Sequence, residues 1–210
     1  MKDMTVAALA KLTASDSPAP GGGSIAALAG AFAVALATMV ARLTVTKKGY
    51  ENVQEEMREL IEKADAARET LLEQIQLDAA AFDGVMAAMA MPRETDADKA
   101  VRREAIQKAT WYAAEVPYRT AECSAEILPL AELMVRKGNP GAVTDGLVAA
   151  MLARTAVLGA LLNVRINLDS VSDLTRAADL REKCAKLEAE AHEREAAIFA
   201  LTPALFGKGE

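Results

Sequence analysis

Residues 51–90 read ENVQEEMRELIEKADAARETLLEQIQLDAAAFDGVMAAMA, and one face of that stretch decides the fold. Val53, Met57, Leu60, Ala64, Ala67, Leu71, Ile75, Asp78, Phe82, Val85 and Met89 follow one another in steps of three and four. That spacing lays them along one stripe of a long α-helix, a seam that packs against neighbouring helices. Every member is apolar except Asp78. A carboxylate set in such a seam is partly buried, and desolvation raises its pKa toward the range useful for proton transfer. A structural aspartate that bonds a neighbouring backbone or sets the register is the alternative reading.

The sequence on either side predicts more helices. A short one covers about Thr5 to Leu12, and a second about Ser24 to Val45, broken by Lys47-Lys48-Gly49-Tyr50. The long helix, about Glu51 to Ala90, stops at Met91-Pro92. Another covers about Asp96 to Val135, with Pro117 and Pro129 placed to bend or divide it. Arg136-Lys137-Gly138-Asn139-Pro140-Gly141 reads as a helix stop and turn, followed by helices over about Thr144 to Leu168 and Ser170 to Leu201. Nothing reads as a strand, a repeat or a linker. The expectation is an all-α antiparallel helical bundle with long helices, one domain over residues 1–210.

Composition sets the outer limits. A chain of 210 residues with 52% apolar content can bury a sizeable core. Aromatics are only 4%, and alanine dominates, which favours closely packed helices. The net charge of −6 argues against nucleic acid as the main partner. Two cysteines without paired spacing, Cys123 and Cys184, together with an N-terminus lacking a signal-peptide core, point to a reduced, cytoplasmic chain. Residues 17–41 carry no charge, but the helical part is alanine- and glycine-rich and just short of a bilayer span. It reads as a helix buried in the protein or at a subunit interface, not in a membrane.

Two further stretches carry chemistry. Ser17-Pro18-Ala19-Pro20-Gly21-Gly22-Gly23-Ser24 leads directly into the uncharged helix. The prolines hold the approach extended, the glycines permit backbone angles that side chains forbid, and Ser24 stands where an N-cap belongs. Such a turn presents free N–H groups to an anionic or polar ligand, although a glycine-rich connector is the plainer reading. On the fifth helix, Asp145, Ala149, Leu152, Ala156, Gly159, Asn163 and Asn167 share one stripe. Small residues there leave space beside two amides, as in a ligand pocket. Asp145 or Thr144 also suits an N-cap.

These stretches, with Met39-Val40-Ala41-Arg42-Leu43-Thr44, Lys48-x-Tyr50, Asp78-Ala79-Ala80-Ala81-Phe82, Gly138-Asn139 and Asn163-Val164-x-Ile166-Asn167-Leu168, resemble the cyclodeaminase/cyclohydrolase family. That family comprises the C-terminal domain of formiminotransferase-cyclodeaminase and stand-alone methenyltetrahydrofolate cyclohydrolases. The resemblance implies a helical homodimer acting on tetrahydrofolate one-carbon derivatives, with the catalytic aspartate at Asp78. It further implies substrate binding by Gly21, Gly22, Gly23, Ser24, Asp145, Asn163 and Asn167, with Lys48 (beside Arg42 and Lys47) meeting the glutamate tail of a polyglutamylated folate. Thr144 stands where many members have serine, and Arg165 lies within the Asn-x-x-x-Asn stretch. No metal and no cofactor beyond the folate substrate are expected.

The expected reaction is hydrolysis of 5,10-methenyltetrahydrofolate to 10-formyltetrahydrofolate. The alternative is ammonia release from 5-formiminotetrahydrofolate at the same site. The 210 residues carry no formiminotransferase segment, which tilts the expectation toward the hydrolase. A non-catalytic dimeric helical module explains the seam but not Asp78 within it, the paired asparagines or the glycine loop. The single histidine, His192, lies in a charged helix and is expected to be exposed; it excludes a di-iron bundle built on paired Glu-x-x-His motifs. Glu122 is a weaker candidate for a second carboxylate.

Overall fold

Seven α-helices follow one another in the computed structural model, which describes residues 1–203. They are α1 (Val6–Thr13), α2 (Gly22–Val45), α3 (Gln54–Met89), α4 (Asp96–Ala125), α5 (Ile127–Lys137), α6 (Val143–Leu168) and α7 (Leu174–Phe199). Two short 3₁₀ turns, Glu51–Val53 and Pro140–Ala142, precede α3 and α6. No strand occurs among the described residues, so the all-α reading holds.

Small side chains set the centre. On α2, Ala27, Ala33, Val34, Ala37, Val40 and Ala41 are fully buried, and on α6 so are Ala149, Ala153, Ala156 and Ala160. Alanine pays no side-chain entropy in a helix and lets two helix axes approach closely. The two helices run antiparallel: a methyl on Gly22 would meet the Asn163 side chain, and one on Gly159 would meet Ala26 at 3.2 Å. Both are long and apolar enough to cross a membrane by length and composition, yet they form the middle of the bundle, flanked by α3, α4 and α5. The α3 seam supplies larger pieces: Met57, Leu71 and Ile75 are buried to 1% or less. Each stabilises the fold by roughly 1.5–3 kcal/mol.

Several boundaries differ from expectation. The stretch 96–135 divides at Glu126, and only one of its two prolines matters for the break. Pro129 falls in the first turn of α5, where a missing N–H costs nothing. Pro117 sits inside a continuous α4, so it does not end the helix. Thr95 starts α4 with a reciprocal capping box to Asp98. Ser24 is not an N-cap: Gly21 is, and Ser24 occupies the third helical position. Neither Thr144 nor Asp145 caps α6, since both lie within its first turn.

Candidate active site

Asp78 lies two-thirds of the way along α3, where the seam stops being core. From Met57 to Ile75 the seam is closed under α2; beyond Asp78, Phe82 and Met89 are 37% and 47% exposed. The N-terminus of α2 abuts the Asp78 carboxylate. The Ser24 hydroxyl donates to Asp78 Oδ2 at 2.8 Å and lies 3.1 Å from the Ile75 carbonyl, tying the first turn of α2 to this turn of α3. Burial pushes the Asp78 carboxyl above the ordinary aspartate range, and the hydroxyl and amide of Ser24 pull partly the other way. The charge is thus held at a helix N-terminus, where partial positive charge favours it.

Gly23 makes this approach possible. A methyl there would fall 2.7 Å from Asp78 Cγ and 2.8 Å from Oδ2, and closer still to Oδ1. The expectation that the triple glycine serves unusual backbone angles is corrected: among the described glycines, only Gly49 has a positive φ. What Gly23 supplies is room, not torsional freedom. At Gly22 a methyl would come within 3.3 Å of Asn163 Nδ2, and at Gly21 it would meet only the Pro18 carbonyl at 3.6 Å.

A cavity of about 420 Å³ opens over the carboxylate. Phe82, Val85, Met86 and Met89 of α3 form an apolar wall, with Ile166 of α6 across from it. Gly21, Gly22 and Gly23 with Pro18 and Ala19 make one rim, and Thr110, Ala113 and Ser170 another. Asn163 and Asn167 line the α6 side. Asn163 Nδ2 donates to the Gly159 carbonyl at 2.9 Å. Asn167 Nδ2 donates to the Ala113 carbonyl of α4 at 2.8 Å and to the Asn163 carbonyl at 2.9 Å. One anchored carboxylate, two fixed amides and an apolar wall suit a flat, polar-edged ligand whose reacting atom lies beside the acid.

The cavity gathers Asp78, Gly21, Gly22, Gly23, Asn163 and Asn167, with Ser24 directly behind the carboxylate. It does not gather Asp145 or Lys48. Asp145 is at the start of α6, roughly 27 Å along the helix from Asn163 at 1.5 Å per residue. Lys48 is exposed beyond the far end of α2. At that end Lys47 donates to Asn139 Oδ1 at 2.7 Å and Arg42 pairs with Asp65. Glu122 and Glu126 line a separate hollow beside α7, and His192 is exposed. Among the described residues no three of His, Cys, Asp and Glu converge as metal ligands would. Met86, Ile166 and Thr110 also line the cavity, although the sequence does not mark them as site residues; Met86 and Ile166 stand beside members of the seam and of the α6 stripe.

Comparison with known proteins identifies the family. The family model described as Formiminotransferase-cyclodeaminase matches residues 5–186. The chain is 38% identical over 178 residues to a methenyltetrahydrofolate cyclohydrolase of Methylorubrum extorquens, covering 85% of this chain and 86% of that protein. It is 36% identical over 185 residues to the formimidoyltransferase-cyclodeaminase of Sus scrofa, covering 88% of this chain but only 34% of that longer protein. The crystal structure of a formiminotetrahydrofolate cyclodeaminase from Thermotoga maritima superposes with a TM-score of 0.80 at 28% identity, over 98% of this chain and 97% of that one. The all-α bundle and these matches agree: the chain belongs to the formiminotransferase-cyclodeaminase family of folate enzymes.

Proposed function

We propose that this chain is a methenyltetrahydrofolate cyclohydrolase with Asp78 as its general acid and base. The observation that carries the reading is the Asp78 carboxylate, raised in pKa by burial and anchored by Ser24 on the floor of a cavity sized for a pterin. Water attacks the methenyl carbon of 5,10-methenyltetrahydrofolate while Asp78 takes its proton. Asp78 then returns the proton to N5 as the bond from that carbon to N5 breaks, the hydroxyl on the carbon releases its remaining proton to solvent, and the resulting formyl group stays on N10. Before water adds, the same carboxylate balances the positive charge spread over the N–C–N bridge, an effect strengthened where water is excluded. The Methylorubrum extorquens protein, matched over 86% of its length, supports this reaction over the alternative.

The alternative is the cyclodeaminase reaction, favoured by the shared fold of the Thermotoga maritima protein. There N10 of 5-formiminotetrahydrofolate attacks the formimino carbon, Asp78 takes the N10 proton and gives it to the departing ammonia. Parallel turnover of the two substrates decides: loss of the methenyl chromophore above the uncatalysed rate marks the hydrolase, and ammonia release marks the deaminase. Folded protein that turns over neither refutes both.

The active form in this reading is a homodimer. Val148, Met151, Leu162 and Ile166 of α6, and Phe32, Met39 and Leu43 of α2, stand 39–67% exposed on the two central helices. Apolar surface of that extent is covered by a partner in a stable protein.

A further inference from the structure

We propose that Pro117 and Asn167 form a device that reads a hydrogen-bond donor on the pyrimidine edge of the ligand. Proline has no amide hydrogen, so Pro117, inside α4, leaves the Ala113 carbonyl one turn earlier without its helical donor. A buried carbonyl lacking a partner is unfavourable, and Asn167 of α6 supplies the missing bond at 2.8 Å. Its other N–H is engaged with the Asn163 carbonyl at 2.9 Å. Both partners are carbonyl oxygens, so the amide orientation is fixed by chemistry: nitrogen toward the helices, oxygen away from them.

The consequence for recognition is directional. An asparagine ordinarily offers two donors and an acceptor, but Asn167 has spent both donors within the protein. Only Oδ1 remains, on a side chain that lines the cavity, and it accepts no hydrogen bond among the described residues. It therefore selects a ligand group carrying N–H. In the proposed folate substrates the 2-amino group of the pterin is such a donor. Asn163 sits one turn nearer the glycine loop, beside Gly22, so the order along the cavity is carboxylate, Asn163, Asn167. That order sets the pyrimidine edge away from the reacting bridge, as the chemistry at Asp78 requires.

The inference rests on the folate reading, and the test separates the two. Binding of 5-formyltetrahydrofolate and of its analogue with the 2-amino group replaced by methyl is measured by calorimetry on wild type, Asn167→Ala, Asn167→Asp and Pro117→Ala. Wild type is expected to prefer the amino ligand by about tenfold, one net hydrogen bond. Asn167→Ala removes the preference. Asn167→Asp keeps the preference, because a carboxylate still accepts from the amino group, but it melts lower, because it cannot donate to either carbonyl. Pro117→Ala restores an amide donor to Ala113, competes with Asn167 and weakens the preference. Wild type that binds neither ligand overturns the folate reading. Wild type that binds both equally, or Asn167→Ala that keeps the full preference, overturns the donor reader while the folate reading stands. A folded Pro117→Ala with the wild-type preference removes Pro117 from the device.

Discussion

Gly23→Ala tests the geometry of the site most directly, because the added methyl has nowhere to go except into the Asp78 carboxylate. The overlap, 2.7 Å to Cγ and 2.8 Å to Oδ2, is too close for any real methyl contact, so the carboxyl group must swing toward the cavity and leave Ser24 Oγ. Forcing a methyl into packed surroundings costs about 1–3 kcal/mol. Replacing glycine by alanine inside a helix returns up to about 1 kcal/mol. Net destabilisation is then about 0–3 kcal/mol, and the protein stays folded. Activity suffers more, since displacing a reacting group by an ångström lowers rate by about a hundredfold. Gly21→Ala, whose methyl meets only the Pro18 carbonyl at 3.6 Å, is the internal control and should sit within about 0.5 kcal/mol of wild type. Gly22→Ala, at 3.3 Å from the Asn163 amide, should fall between them. The assay is steady-state loss of the methenyl chromophore, with thermal melts on the same preparations. A Gly23→Ala enzyme within about threefold of wild-type kcat/KM, or a Gly21→Ala enzyme as damaged as Gly23→Ala, would refute the close-approach reasoning.

Other outcomes follow from the same contacts. Ser24→Ala removes a hydroxyl that lowers the Asp78 pKa, so the acidic limb of the kcat/KM profile should move to higher pH, with roughly tenfold lower activity near that limb; an unmoved limb would place the titrating group elsewhere. Asp78→Asn should abolish turnover yet melt at or above the wild-type temperature at neutral pH. The sign follows from burial: a carboxyl raised in the fold holds its proton more tightly than in the unfolded chain. Its contribution favours the fold below the ordinary aspartate pKa and is lost as pH rises through the folded value. The advantage of Asp78→Asn should therefore shrink on acidification, and a variant that melts lower at pH 7 would contradict it. Met151→Glu puts a charge on the exposed α6 stripe and should shift the sedimenting species from dimer to monomer; a dimer that persists would move the interface to another face.

Much of this is legible in the sequence. The steps of three and four on α3 gave a helix, and the single carboxylate in that stripe gave the group on which the cavity centres. The sequence marks the glycine loop as part of the site on the ground of backbone angles, whereas in the structure it is the missing methyl of Gly23 that matters. Sequence alone cannot tell a glycine needed for its φ from one needed for its missing methyl, and here the second holds at Gly23. Pro117 and Pro129 look alike in sequence. One falls in a first turn where it is free of penalty, and the other sits mid-helix where α6 compensates for it.

The placement of Asp145 shows where pattern reading reaches its limit. Helical spacing fixes the angle of a residue about its axis and says nothing about which neighbours surround it at that height. Asp145 and Asn163 share a stripe of α6, yet the turn of α2 beside Asn163 is the glycine N-terminus, whereas Asp145 lies toward the opposite, C-terminal end of α2. Antiparallel packing reverses the partner from one end of a stripe to the other, so a shared face is not a shared site. Asp78 escaped that ambiguity because its stripe changes character at that residue: closed core before it, exposed apolar wall after it. A polar residue at the point where a seam opens is a stronger indication of a site than a polar residue within one.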